Sequence, residues 1–325
     1  MPAAARPATV RPRVSTPHRV QLRPTGVRFV WSRRPKRTYQ LSWEVTVHLS
    51  TRCSALLGAV LGLAVVGCTG SEEPDVLTYD EFKAQAYQEP DTGIFVVNGD
   101  EIIETEEAMR AAYDAFLVSL SDAVMRGEGL ATTQSKLIVN TVGGSDDKWD
   151  SGTANNITYC ISQASFGSRY STVVTAMASA AGAWEGSARV NFVHASANDG
   201  NCSSRTRGVV FNVRQVNSGG QYLARAFFPS SSRRSREVLI DTSSLGNINP
   251  WSLTGVLRHE LGHTLGFRHE HTRPESGTCF ENNQWRALTA YDAASVMHYP
   301  QCNGTQNGDL VLTTIDKAGA SNLYR

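Results

Sequence analysis

Three histidines at fixed spacing form the part of the sequence best suited to chemistry. His259 and His263 are four residues apart, so on a helix their imidazoles lie one turn apart on the same face. Gly266 can adopt the left-handed conformation that ends a helix, which allows His269 to return to the same point. Three imidazoles and one open position are the ligand set of a catalytic zinc ion. Glu260 lies beside this face, where its carboxylate can act as a general base.

The residues around the histidines predict a helix with one buried side. Leucines recur every four residues on the side away from the histidines, so this side is expected to pack into a core while the imidazoles face a cleft. Asn249 is a candidate N-cap, and Pro250 suits the first helical position. The alternative, a histidine-rich polar surface helix, does not account for the apolar stripe. The stripe comprises Leu253, Leu257, Leu261 and Leu265.

Charge is distributed unevenly along the chain of 325 residues. Eleven of the 31 basic residues but only one of the 30 acidic residues lie before Cys68. Residues 68–325 therefore carry a net charge of −9, which argues against nucleic acid as a partner. The hydrophobic fraction of 41% is sufficient for a sizeable core.

An apolar segment near the N-terminus predicts export. Residues 53–66 are too short for a comfortable transmembrane helix but have the length of a signal-peptide core. Val65-Val66-Gly67-Cys68 resembles a bacterial lipobox, so we expect residues 45–67 to be a lipoprotein signal peptide and Cys68 to carry a membrane-anchoring lipid. The alternative is an ordinary secretory signal with an incidental cysteine. We expect residues 1–44 to be either a non-native extension or a disordered basic arm.

Four cysteines follow the lipobox, and an oxidising compartment would join them in two disulfides. Three pairings are conceivable for four cysteines. We favour Cys160–Cys202 together with Cys279–Cys302, because each pair then lies on one side of the predicted zinc helix. A zinc knuckle is disfavoured because no two of these cysteines have CxxC spacing.

The order of predicted elements divides the rest of the chain in two. Residues 68–130 form a tether and a small unit, in which a strand ends at Asn98-Gly99-Asp100 and a helix begins after Thr105. Residues 131–325 contain alternating strands and helices, which predict a mixed α/β (α+β) domain. Within it, the apolar segment Gln221–Pro229 ends at proline and is expected to be an edge strand. Thr314 is expected to cap a closing helix.

Two motifs together resemble astacin-type metzincins, a group of zinc peptidases. His259–Arg273 matches the pattern HExxHxxGFxHExxR, and Ser295–Tyr299 matches SxMHY. HELGHTLGFRHEH resembles more narrowly the bacterial dual-action HEIGH metallopeptidases, with Leu261 in place of isoleucine. The segment between His269 and Met297 is shorter than in astacins, so the S1′ side of the cleft is expected to differ.

The resemblance implies a metzincin-like fold with a twisted, mostly parallel sheet, a zinc-binding helix and a loop-rich C-terminal subdomain. It implies a single catalytic Zn2+ ion, with Glu260 as the general base. Met297 would form the floor of a Met-turn, and Tyr299 would be a switchable fifth ligand that binds the oxyanion. Glu270 would meet an N-terminal amine freed by removal of a propeptide. The implied zinc ligands are His259, His263 and His269.

The segment before residue 101 also resembles part of this family. Val97-Asn98-Gly99-Asp100 is similar to the FxGD motif of astacin propeptides, in which the aspartate occupies the open position of the zinc. Valine replaces the phenylalanine of that motif. The resemblance implies that residues 68–130 are propeptide-like, with Asp100 as a latency switch. The alternative is that Asn98, Gly99 and Asp100 only form a hairpin turn.

The sequence therefore predicts an exported zinc endopeptidase, made as a zymogen, that cleaves protein or peptide substrates. Hydrolysis would proceed by attack of a zinc-bound water assisted by Glu260. Two other classes are open: a non-catalytic zinc-binding surface lipoprotein, and a zinc amidase acting on cell-wall material. Glu260 disfavours the first because a structural site needs no base. The third histidine and the Met-turn disfavour the second.

Overall fold

The computed structural model describes residues 77–125, 137–306 and 308–325. Within these ranges the chain forms helices α1 Tyr79–Lys83, α2 Glu106–Met125, α3 Ser151–Ala154, α4 Gln163–Phe166, α5 Tyr170–Glu185, α6 Leu253–Thr264 and α7 Thr314–Leu323. The strands there are β1 Tyr87–Gln88, β2 Phe95–Val97, β3 Glu101–Ile103, β4 Ile138–Val142, β5 Ser145–Asp146, β6 Ile157–Ile161, β7 Phe192–His194, β8 Phe211–Val216, β9 Ala224–Arg225, β10 Glu237–Asp241 and β11 Trp285–Ala287. The predicted mixed α/β class is confirmed.

Residues 1–44, the predicted signal peptide at 45–67 and the predicted lipid site at Cys68 lie outside the described residues. Within the part of the chain that the structure describes, no helix has the length and apolarity needed to cross a bilayer.

The main sheet has five strands in the order β7-β6-β8-β10-β9. β6, β7, β8 and β10 pair in parallel, and β9 pairs antiparallel with β10, so the sheet is mostly parallel as predicted. Every residue of β10 is buried, as expected for a strand of a parallel sheet that is covered on both faces. The strand predicted over Gln221–Pro229 is shorter than expected, since only Ala224–Arg225 pairs, but it does lie at the edge.

Helices α5 and α6 pack against each other in the main core. The buried face of α5 repeats every three to four residues and ends at Trp184. The Trp184 indole N–H donates to the carbonyl of Arg258 at 2.8 Å, and its ring stacks on Phe267 at 5.1 Å. These contacts hold α6 on both sides of its metal-binding residues. Leu257, Leu261 and Leu265 lie in the same core as predicted, and Leu253 is partly buried.

The start of α6 differs from the prediction. Ser252, not Asn249, is the N-cap: its hydroxyl accepts the backbone N–H of Gly255 at 3.0 Å. The backbone N–H of Asn249 instead donates to the side chain of Asn247 in the preceding turn. Pro250 therefore lies before the helix, because the hydroxyl of Ser252 is the group that reaches a free amide of the first turn.

The closing helix α7 also begins one residue earlier than predicted. Thr313, not Thr314, is the N-cap, and it forms a capping box with Asp316. The carboxylate of Asp316 further accepts the hydroxyl of Ser295 at 2.6 Å and the backbone N–H of Val296 at 2.9 Å. The first turn of α7 is thereby tied to the segment that was predicted to be the Met-turn.

Two disulfides join distant segments in the pairing that the sequence favoured. Cys160–Cys202 connects β6 to the chain that follows β7. Cys279–Cys302 connects the loop after the third histidine to the segment that follows Tyr299. This second disulfide fixes the C-terminal side of the metal-binding region.

The N-terminal segment forms a three-stranded antiparallel sheet, β1-β2-β3, together with α1 and α2. Thr105 caps α2 as predicted, since its hydroxyl accepts the backbone N–H of Ala108 at 3.1 Å. The turn between β2 and β3 contains Asn98, Gly99 and Asp100, and the first two have positive φ angles of 55° and 100°. This turn carries Asp100 into the metal-binding region.

Candidate metal centre

The backbone brings the three histidines together as their spacing predicts. His259 and His263 lie one turn apart on α6. Gly266 ends the turn after the helix with a φ of +94°, and a Cβ atom there would collide with the carbonyl oxygen of Asp147. Only glycine satisfies both conditions, and the chain then returns so that His269 meets the other two rings. All three side chains are buried.

Hydrogen bonds at the Nδ1 atoms fix the tautomer of each ring. Nδ1 of His259 lies 2.7 Å from the carbonyl oxygen of Val296, and Nδ1 of His263 lies 2.9 Å from that of Phe267. Nδ1 of His269 lies 2.7 Å from Oε1 of Glu281. Because these oxygens can only accept, each Nδ1 carries the ring proton and each Nε2 presents its lone pair.

The three Nε2 atoms and the carboxylate of Asp100 converge on one point. Nε2 of His259 lies 3.1 Å from Asp100 Oδ2, while Nε2 of His269 and of His263 lie 3.0 and 3.5 Å from Oδ1. No described residue donates a hydrogen bond to Oδ1. Buried lone pairs and a carboxylate repel one another unless a cation or protons separate them. The cluster therefore fits a divalent metal ion, and its ligand types suit zinc.

Asp100 is held as a carboxylate. Burial would raise its pKa, but the neighbouring side chains of His269, His263 and His259 hold the pKa well below its usual value. The Tyr299 hydroxyl also donates to Oδ2 at 2.6 Å. The hairpin interpretation is thus incomplete, because this turn places a charged side chain among the histidines.

Gly99 allows the approach of this turn. A Cβ atom at Gly99 would lie 2.9 Å from the hydroxyl oxygen of Tyr299 and would require the left-handed conformation in a residue with a side chain. Tyr299 itself is fixed by its neighbours, since its ring stacks on His259 at 5.5 Å and on His271 at 4.8 Å. The phenol is therefore aimed at the same point as the imidazoles.

Glu260 is buried beside the cluster, and its Oε2 has no hydrogen-bond partner among the described residues. Burial raises the pKa of Glu260 well above its usual value, and the negative charge of Asp100 adds a smaller effect in the same direction. A carboxylate with an unpaired oxygen next to a metal position is suited to accept a proton.

Met297 lies directly under α6. It is fully buried, and a Cβ atom at Gly262 would collide with its sulfur. The carbonyl of Met297 accepts the backbone N–H of Glu270 at 2.8 Å, which joins this turn to the segment of the third histidine. Gly262 and Met297 thus form a close-packed floor below the helix.

Glu270 lies next to the third histidine and is completely buried. Its Oε1 accepts Nη1 of Arg273 at 3.0 Å and the backbone N–H of Asp292 at 3.2 Å. Burial raises the pKa of Glu270 well above its usual value in spite of the neighbouring arginine. In this structure its carboxylate links two loops of the C-terminal part.

A buried ion pair fixes the N-terminal segment to the edge of the main sheet. Glu89 accepts Nε and Nη2 of Arg225 at 2.9 and 3.0 Å, and the Tyr222 hydroxyl at 3.1 Å. The backbone N–H of Ala226 donates to the carbonyl of Asp100 at 3.2 Å. The segment thus bonds both to the edge strand and to the histidine cluster.

Several residues of this site were not predicted from the sequence. Glu281 lies in a loop without a motif, and Glu89 pairs with Arg225 across 136 positions of the chain. No periodicity or spacing connects such pairs, because they meet only through the tertiary fold. The one sequence signal for Glu281 is that it is the single acidic residue between Cys279 and Asp292.

Comparison with known proteins gives relatives for the part of the chain that carries the histidines. The matrixin family model matches residues 148–276. Over 81 residues the chain is 36% identical to Protein SpAN of Strongylocentrotus purpuratus and 32% identical to Blastula protease 10 of Paracentrotus lividus, covering 19% of this chain in each case. The chain spans 13% and 14% of the length of those relatives. These matches confirm the predicted resemblance to metzincin-type zinc metallopeptidases.

Two solved structures are also similar to this chain. The structure of myroilysin is 19% identical, with a TM-score of 0.40, and the alignment covers 57% of this chain and 98% of that one. High choriolytic enzyme 1, a hatching enzyme zinc-protease from the medaka Oryzias latipes, is 24% identical, with a TM-score of 0.32. That alignment covers 50% of this chain and 77% of the medaka chain.

Proposed function

We propose that this chain is the precursor of an exported, zinc-dependent endopeptidase whose metal position is blocked by Asp100. The observation that carries the proposal is the convergence of three imidazole lone pairs with the Asp100 carboxylate, beside Glu260. His259, His263 and His269 would hold one zinc ion. When bound there, zinc polarises a peptide carbonyl and lowers the pKa of a water molecule.

Glu260 performs the proton transfers of the proposed reaction. Its carboxylate takes a proton from the attacking water and later gives a proton to the leaving amine. The place of Oε2 supports this role, because it is buried beside the metal position with no hydrogen-bond partner among the described residues.

Tyr299 supplies a hydrogen bond to the oxygen that becomes negative during the reaction. Its hydroxyl already donates to a negative oxygen, Oδ2 of Asp100, at 2.6 Å. Once Asp100 has left, the same hydroxyl can donate to the oxyanion. Met297 and Gly262 keep the floor of the site rigid.

Peptide substrates would pair with the edge of the main sheet. β9 exposes one edge once the N-terminal segment has gone, and an extended peptide can add there as a further strand. The backbone N–H of Ala226, directly after β9, already donates to the carbonyl of Asp100, which supports this mode of pairing.

We also propose that the chain is exported and that a propeptide keeps it inactive. Residues 68–130 would act as the propeptide and residues 131–325 as the catalytic domain, with Asp100 leaving the metal position when the propeptide is removed. Glu270 would then be available to the new N-terminal amine. The two disulfides support an oxidising compartment, and the lipobox supports a lipid on Cys68 in a bacterial cell envelope.

A chelation experiment tests the proposed activity. The full chain, activated by limited proteolysis, is incubated with casein before and after treatment with 1,10-phenanthroline, and zinc is then restored. We expect cleavage that stops with the chelator and returns with zinc, and no cleavage by Glu260→Gln. Zinc binding without cleavage of casein would contradict the proposal, and release of products from peptidoglycan would favour the amidase.

A further inference from the structure

The third histidine differs from the other two in the partner of its Nδ1 atom. His259 and His263 donate to backbone carbonyls, whereas His269 donates to the carboxylate of Glu281. We propose that Glu281 is a positioning residue of the metal centre: its carboxylate orients the His269 ring and strengthens the binding of zinc. This inference rests on the zinc site of the proposed function.

The carboxylate of Glu281 is held by donors at both oxygens. Oε1 accepts Nδ1 of His269 at 2.7 Å, and Oε2 accepts Nη2 of Arg268 at 2.6 Å. Nε2 of His271 lies 3.4 Å from Oε1. Because the backbone N–H of Tyr299 donates to Nδ1 of His271, the proton of that ring is on Nε2 and faces the carboxylate. Glu281 is therefore fixed in position as an anion.

The loop that carries Glu281 is itself anchored. The backbone N–H of Glu281 donates to the hydroxyl of Thr272 at 3.0 Å, and the neighbouring Asn282 accepts Nη1 of Arg268 at 2.6 Å. Two residues earlier, Cys279 is bonded to Cys302. These constraints give the carboxylate a defined direction relative to the ring of His269.

A carboxylate on the far nitrogen of a metal-binding imidazole has two effects. It fixes the ring orientation, and it makes the metal-binding nitrogen more basic. Losing such a partner typically weakens metal affinity about 10–100-fold. If Glu281 served only to neutralise Arg268, its loss would lower the stability of the protein without changing zinc affinity.

The test compares the zinc affinity of full-length variants by competition with a chromogenic chelator. We expect Glu281→Gln to bind zinc about 10-fold more weakly and Glu281→Ala about 100-fold more weakly. Glu237→Gln is the matched control: the side chain of Glu237 is buried to a similar degree and accepts Nε of Arg214 and Nδ2 of Asn212, both at 2.8 Å. This control should keep its zinc affinity within about twofold, because it lies outside the metal cluster.

Cobalt supplies a second readout. The visible absorption of a Co2+-substituted site reports ligand geometry, so it should change in the Glu281 variants and not in Glu237→Gln. If the single variants do not fold, Arg268→Gln combined with Glu281→Gln removes both charges together and permits the same comparison.

Unchanged zinc affinity and cobalt spectrum in folded Glu281 variants would overturn the inference. Failure of the unsubstituted chain to bind zinc at its histidines would overturn the proposed function as well. The two failures are distinct, since the first leaves zinc bound to the unsubstituted chain.

Discussion

Replacing Asp100 with alanine should activate the chain without any cleavage of it. The carboxylate lies within 3.5 Å of three imidazole nitrogens and accepts the Tyr299 hydroxyl, and both Asp100 and the three histidines are buried. Removal of one partner from a buried ionic cluster typically costs about 3–5 kcal/mol, which corresponds to about 10²–10⁴ in an equilibrium constant. The substitution therefore destabilises the blocked state by at least about 3 kcal/mol.

Other contacts of the N-terminal segment remain after this substitution and limit the rise in peptidase activity. The ion pair of Glu89 with Arg225 still holds the segment at the sheet edge. We therefore expect a rise in kcat/KM of about 100-fold over the unsubstituted precursor, the lower end of the range.

The assay uses a quenched fluorescent peptide, with mass spectrometry to show that the chain stays intact. Asp91→Ala is the control, because Asp91 is an exposed residue of the same N-terminal segment. An intact, folded Asp100→Ala chain whose activity stays within twofold of the precursor would refute the reasoning. An equal rise in Asp91→Ala would refute it as well.

Four further outcomes follow from the site. In the Asp100→Ala background, Glu260→Gln should bind zinc but lose about 10²–10⁴ in kcat, because no base accepts the proton of the water. Tyr299→Phe in the same background should lose about 100-fold in kcat with zinc retained, as expected for one oxyanion donor. Replacing Cys279 and Cys302 with serine should weaken zinc binding about 10-fold, measured by chelator competition, since their disulfide anchors the Glu281 loop. Gly262→Ala should lower stability by about 1–3 kcal/mol in thermal unfolding, because the new methyl group meets the sulfur of Met297.

Matched variants separate these effects from general damage. Serine at Cys160 and Cys202 removes the other disulfide and should leave zinc affinity unchanged. Gly182→Ala in α5 points into open space and should be neutral or stabilising by about 0.5–1 kcal/mol. Wild-type kcat in Glu260→Gln, or a Gly262→Ala chain as stable as Gly182→Ala, would contradict the corresponding assignment.

The fold was predictable where local rules determine it. The mixed α/β class follows from the alternation of strands and helices, and the edge strand follows from the proline that ends Gln221–Pro229. The disulfide pairing followed from the position of the cysteines around α6. The predicted start of α6 was wrong because Asn249 and Ser252 are both good N-cap residues. The turn in which Asn249 bonds to Asn247 leaves Ser252 as the cap. Helix ends generally depend on such local competition.

The metal ligands were predictable because their geometry is local in sequence. His259, His263 and His269 lie within eleven residues, so helix pitch and one glycine determine their meeting. Glu281 joins the centre only because a separate loop, a disulfide and Arg268 bring it there. Contacts of this kind depend on the complete fold and leave no periodic signal.

The intact chain is proposed to bind one zinc ion between three histidines and Asp100. An anomalous-difference map, recorded above and below the zinc absorption edge from crystals of the zinc-loaded full chain, tests it directly. We predict one strong peak between Nε2 of His259, His263 and His269 and the carboxylate of Asp100. Absence of a peak there, or a peak bound by other residues, would contradict the account.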